Sequence, residues 1–215
     1  MADLDALRAR WLPALLSARA DDSCAIAPER YAEELIRRWR EPHRRYHTLT
    51  HLTAVLDRVD LLESYAEEPH LVRLAAWFHD AVYLPERSTN EERSARLAER
   101  ALTEAGVPER GVAEVARLVR LTQGHDPAAG DRNGEVLCDA DLAVLASPPD
   151  TYAAYTAAVR EEYGFVPEDA FRAGRADVLG QLLGMPRLFR TAYGRERWEA
   201  DARRNIAAEL ELLTG

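Results

Sequence analysis

Four side chains of the kind that bind cations or move protons stand where an apolar core would be expected. His51 begins a segment in which Leu52, Val55, Leu56, Val59 and Leu62 recur at helical spacing. His79 and Asp80 end the apolar run 71–80, LVRLAAWFHD, and Asp141 lies within 135–146, EVLCDADLAVLA. A desolvated imidazole or carboxylate is costly unless hydrogen bonds, a counter-charge or a metal compensate it, and one divalent ion would satisfy all four groups. Two imidazoles and two carboxylates without a thiolate form a mixed nitrogen and oxygen set that suits Mn, Fe, Co, Ni, Zn or Mg. On an ion that prefers six ligands, this set leaves positions for water and substrate, the mark of a catalytic site.

The choice of aspartate follows from helix geometry. Positions two apart point to nearly opposite faces, so Asp139 and Asp141 are not both expected at one ion. Asp141 shares a face with Leu137, Cys138, Val144 and Leu145, whereas Asp139 shares one with Glu135 and Ala143. Asp141 is therefore expected to be the buried ligand, and Asp139 a solvated or outer carboxylate.

The surrounding elements all read as helices. Leu4, Leu7, Trp11 and Leu15 mark the first, in which Pro13 predicts a kink or break. Pro28 is placed to open a second, carrying Tyr31, Leu35, Ile36 and Trp39. Pro69 opens the 71–80 run; 81–87 reads as a loop; Ser88 with Glu91 reads as a capping box for a helix to about residue 104. Val112, Val115, Leu118, Val119 and Leu121 mark another helix, and the Asp- and Gly-rich stretch 126–134 reads as a loop and candidate lid. Tyr152, Tyr155, Val159 and Tyr163 define a further helix, with two more at about 168–183 and 195–213. No convincing strand alternation, hairpin dipeptide or fixed-period repeat appears. The expected fold is all-α: one domain of about eight to ten helices, with a metal-site core over about 31–163 and the C-terminal helices 167–213 packed on it.

The chain of 215 residues is 47% hydrophobic and 30% charged, with a net charge of −9. All 28 basic residues are arginine, interspersed with acids rather than gathered into a stripe. This argues against binding along a nucleic-acid backbone. Cys24 and Cys138 lie far apart with no Cys-x-x-Cys pair, as expected of reduced cysteines in a cytoplasmic protein. The acidic N-terminus is unlike a secretory signal, and no window approaches the ~18 consecutive apolar residues of a membrane span.

The order of His51, His79-Asp80 and Asp141 resembles the HD superfamily of metal-dependent phosphohydrolases. YHTLTH at 46–51, FHDAVY at 78–83, NEERSA at 90–95, DADL at 139–142 and VREEY at 159–163 are similar to a small bacterial group of predicted HD-superfamily phosphohydrolases. The resemblance spans about 31–193. It implies one divalent metal held by His51, His79, Asp80 and Asp141, and hydrolysis of a phosphate ester of a small metabolite or nucleotide by metal-activated water. A carboxylate would take the proton, with Asp80 and Glu91 as candidates; Glu91 is equally readable as the capping partner of Ser88. The nucleotidase branch carries glutamate where this chain has Tyr83, so the resemblance leaves the substrate open.

Four further residues are candidates for substrate contact. His47 lies one turn before His51 and either faces the site or caps the helix. His125 is readable as a substrate contact, a ligand to a second metal, or a solvated loop residue. Arg160 and Arg175 are of the type that clamps phosphate, or else form ion pairs. Two alternatives accompany the hydrolase reading: a di-iron oxygenase of the same scaffold, and a non-catalytic module that senses a ligand.

Overall fold

The structure, a computed structural model, describes residues 3–19 and 29–215. It is all-helical, with no strand among the described residues. The chain divides into two compact units, Met1–Cys138 and Asp139–Gly215. Pro28 and Cys24, singled out in the sequence, lie outside the described residues.

The first unit is built around one helix. In chain order it contains α1 (Leu4–Ala18), α2 (Glu29–Trp39), α3 (Leu49–Leu61), a 3-10 turn (Glu63–Tyr65), α4 (Pro69–Phe78), α5 (Asn90–Glu104), α6 (Glu109–Leu121) and most of α7 (Arg132–Leu142). α4 packs against α1, α3, α5 and α6. Its sequence explains the position: Pro69 occupies the first turn, where a missing N–H is harmless, and Leu71, Val72, Leu74, Ala75, Ala76, Trp77 and Phe78 are all buried. Apart from His70 and Arg73, which stay partly exposed, the apolar surface of α4 suits a helix enclosed by neighbours. Fully burying one large apolar side chain is worth about 1.5–3 kcal/mol, so α4 is the main anchor of this unit.

Three local expectations change. α1 runs unbroken through Pro13. Both Pro13 and Ala9, whose carbonyl loses its partner, are exposed, so water replaces the lost bond, while Leu7, Trp11 and Leu15 hold the helix by its buried face. The Ser88–Glu91 capping box does not form, because α5 starts at Asn90. The Asn90 side chain instead binds the Leu84 amide and the Leu84 and Arg87 carbonyls, fixing the loop before the helix. The end of the supposed lid is tethered: Arg117 pairs with Asp131, Arg132 donates to the Tyr65 carbonyl, and Asn133 Oδ1 accepts from the Glu67 and Glu68 amides.

The second unit begins in the last turn of α7, continues through a 3-10 turn (Ala143–Ala146), and adds α8 (Pro149–Glu162), α9 (Glu168–Gly184), α10 (Ala192–Arg197) and α11 (Glu199–Thr214). The last expected helix is thus two, meeting at Trp198. α11 packs on α9, α10 and the 3-10 turn. Leu145, Leu179, Leu188, Phe189 and Ile206 form its core. Among the described residues no helix is long and apolar enough to cross a membrane.

Candidate metal centre

His51 and His79 reach one point from two elements. Thr48 caps α3, its hydroxyl accepting from the Thr50 amide, so His51 projects from the first turn. His79 closes α4, its amide still bonded to the Ala75 carbonyl. The two Nε2 atoms lie 3.2 Å apart and both side chains are buried. His79 Nδ1 lies 2.8 Å from the Ala76 carbonyl. A carbonyl can only accept, so Nδ1 carries the ring proton and Nε2 is left with its lone pair facing the site.

Asp80 completes this group within the first unit. Its Oδ2 is 3.2 Å from His79 Nε2 and 3.9 Å from His51 Nε2. A carboxylate oxygen facing an imidazole lone pair requires a proton or a cation between them. The negative end of the α4 dipole at this turn also favours positive charge. Asp141 stands on the last turn of α7, in the second unit. Ligands bonded to one ion at about 2.0–2.2 Å sit roughly 3–3.6 Å apart, so the observed 3.2 Å spacings fit shared coordination. The paired His51 and His79 nitrogens could take part in holding a metal ion.

A wall of rings surrounds the imidazoles. The Trp39 ring lies 5.3 Å from His79 and 6.1 Å from His51, and Tyr46 is 4.7 Å from His51. His47 precedes the Thr48 cap and does not itself cap α3. Its Nε2 is 3.9 Å from Asp80 Oδ2, and its ring lies 4.2 Å from that of Tyr83. Tyr83 is buried, its ring tilted 33° against that of His47. His43, which the sequence did not single out, donates from Nε2 to the Tyr83 carbonyl at 2.8 Å.

The residue that sequence reasoning missed altogether is Arg44. Its side chain is 0% exposed, and its guanidinium carbon lies 5.3 Å from the Trp39 ring and 5.4 Å from that of Tyr83. It donates to the carbonyls of His47 (3.0 Å), Asp80 (2.9 Å) and Ala81 (3.4 Å), and pairs with Glu41. One buried cation thereby ties the approach to α3 to the turn that carries Asp80. The only signal in the sequence was an arginine flanked by histidines and tyrosine in HRRYH, in a chain where arginine is everywhere.

The other candidates fall elsewhere. Asp139, expected to be solvated, is fully buried, and Asp141 is only partly so. Asp139 accepts from the Arg190 amide (2.7 Å), the Thr191 amide (2.9 Å) and the Thr191 hydroxyl (2.7 Å). A Cβ on Gly194 would come within 2.6 Å of Asp139 Oδ2, so glycine is required there. Glu91 is partly buried in the first turn of α5 and makes no hydrogen bond or ion pair among the described residues. His125 closes the turn that follows α6, with φ 50° and its amide bonded to the Leu121 carbonyl. Left-handed backbone of this kind is a common helix terminator.

Both arginines proposed as phosphate clamps are engaged by the chain's own groups. Arg160 binds Glu168 and the Tyr163 and Val166 carbonyls and lies 4.6 Å from the Phe171 ring. Arg175 binds Glu209 and the Tyr155 hydroxyl. Burial pushes the Tyr152 hydroxyl well above its ordinary range, and its hydrogen bond to Glu209 adds to the shift.

No protein-family model, curated protein or solved structure matches the chain.

Proposed function

We propose that this chain is a metal-dependent phosphohydrolase acting on a small phosphorylated metabolite or nucleotide. The observation that carries the reading is the convergence of the His51 and His79 Nε2 atoms, 3.2 Å apart, beside the Asp80 carboxylate. A divalent ion held there would act as a Lewis acid toward a phosphoryl oxygen and make water acidic enough to attack near neutral pH.

The chain's own residues supply the rest. His51 and His79 would hold the ion through Nε2, and the Ala76 carbonyl keeps His79 in the required tautomer. Asp80 Oδ2, 3.2 Å from His79 Nε2, would accept a proton from the attacking water. Arg44 holds the backbone of Asp80 in place, and the rings of Trp39, Tyr46 and Tyr83 screen the imidazoles from bulk solvent. In the reaction the water oxygen bonds to phosphorus, the ester P–O bond breaks, and the leaving oxygen takes up a proton.

The test is elemental analysis of the purified protein, followed by a panel of phosphomonoesters and phosphodiesters assayed with Mn, Co, Ni and Mg. The expected result is one metal equivalent with turnover, both lost in His79→Ala and Asp80→Ala. A wild type that binds no metal, or variants that keep metal and turnover, would overturn the reading. Two equivalents with oxygen-dependent turnover would replace it with the oxygenase alternative, and binding of a phosphoester without turnover would replace it with the sensor.

A further inference from the structure

The first unit contains a solvent-open hollow that shares no residue with the metal-ligand group. It measures about 550 Å³, within the range of small-molecule sites, and lies between α2 and α5. Arg38, Arg93, Arg96 and Arg100 line it, against the single carboxylate of Glu92. The spacing of 93, 96 and 100 puts three guanidinium groups on one face of α5, and Leu97 lies buried beneath them.

The charges in this cavity are not balanced from within. Arg38 pairs with Glu34 on its own helix, and Arg96 with Glu92. Glu92 is shared with Arg120 of α6 at 2.6 Å. The two guanidinium groups hold the Glu92 carboxyl down to about 2, so it stays ionised but already has two partners. The guanidinium groups of Arg93 and Arg100 make no hydrogen bond or ion pair among the described residues. Arg8, Arg10, Arg73, Arg117 and Arg203 each have a carboxylate within 2.8 Å, whereas Arg93 and Arg100, which share one hollow with Arg38 and Arg96, do not. Guanidinium forks match the oxygens of phosphate bidentately, and several around one hollow suit an anion with several charges.

We propose that the Arg38–Arg93–Arg96–Arg100 cavity binds a multiply charged phosphate anion of triphosphate size. Arg93 and Arg100 are its primary contacts, while Arg38 and Arg96 add charge from positions fixed by their own carboxylates. The cavity also reaches Val82, two residues beyond Asp80. The Val82 amide donates to the Ser94 hydroxyl on α5, so the bound anion would rest against a segment already fastened to the cavity's helix.

The test is titration calorimetry of the full chain with inorganic tripolyphosphate at roughly physiological ionic strength, where exposed charges more than a Debye length apart are screened. Three proteins are compared: the wild type, the double variant Arg93→Gln/Arg100→Gln, and His79→Ala. The proposal expects one saturable equivalent in the wild type, at least about tenfold weaker binding in the double variant with unchanged circular dichroism and metal content, and retained binding in His79→Ala. Binding lost in His79→Ala but kept in the double variant would send the anion to the metal centre and overturn the proposal. So would a wild type that shows no saturable binding at this salt. Because the readout is anion affinity rather than turnover, it succeeds or fails independently of the phosphohydrolase reading.

Discussion

Asp139 is surrounded by donors: two backbone amides and a hydroxyl point at its oxygens, and it is fully buried in the second unit. Asp80, in the first unit, has its outer oxygen turned toward the nitrogens of His79, His51 and His47 at 3.2, 3.9 and 3.9 Å. The same residue type is thus used in two ways. Where three donors converge, the carboxylate is a structural fastener and the site is complete. Where lone pairs converge, the site is complete only with a proton or a cation, and the chain must hold the groups in place by other means. Burial alone does not tell the two apart; the identity of the neighbours does.

The contrast breaks most sharply at Asp139. Replacing it with alanine should leave three buried donors without an acceptor and destabilise the protein by about 3–5 kcal/mol, read as a loss of melting temperature. A variant as stable as the wild type would remove the distinction. Asp80→Asn should behave in the opposite manner: metal affinity falls by about 100-fold, while the stability of the metal-free protein stays within about 1 kcal/mol of wild type. Addition of a chelator should lower the wild-type melting temperature and leave that of Asp80→Asn unchanged.

Arg44 sharpens the contrast, because it supports the incomplete site without entering it. Arg44→Lys keeps the charge but cannot span the His47, Asp80 and Ala81 carbonyls, and should weaken metal binding about 10-fold. Arg44→Met, which also loses the charge, should weaken it further. Equal metal affinity in all three proteins would make Arg44 a packing residue only.

The smallest expected effect lies again in the second unit. Burial pushes the Glu199 carboxyl up, but hydrogen bonds from the Phe189 and Leu188 amides and from Arg203 together hold it below its ordinary value. Its folded pKa is below the unfolded one, so its stabilisation is full above about pH 4.3 and fades as pH falls through the folded value. Glu199→Gln should cost roughly 1 kcal/mol at neutral pH, and the difference in melting temperature from wild type should shrink in acid.

Much of this was legible in the chain. The 71–80 run could only be a buried helix, and histidines on apolar helical faces marked the ligand candidates. Burial of the two aspartates was not legible, because their expected neighbours depend on α-helical periodicity continuing as far as Val144 and Leu145. The chain turns to 3-10 geometry at Ala143, where residues three apart eclipse, so Leu145, four residues on, leaves the Asp141 face. The partners of Asp139 lie more than fifty residues away in sequence, and two of the three are backbone amides. Arg44 was hidden for the same reason: its partners are mostly carbonyls, which every residue has. A pattern of residue types can show which groups need compensation, but not where a backbone supplies it.

The position of Trp39 against His79 and His51 gives the molecule an optical property. An indole 5.3 Å from one candidate ligand ring and 6.1 Å from another is close enough for its emission to register the charge on either imidazole. Trp11 and Trp77 pack edge to face at 5.5 Å, and Trp198 lies against Phe189. Comparing the wild type with Trp39→Phe therefore isolates one fluorophore from a background of three. Occupancy of the centre could then be followed in a cuvette, in real time and without a label, before any substrate is known.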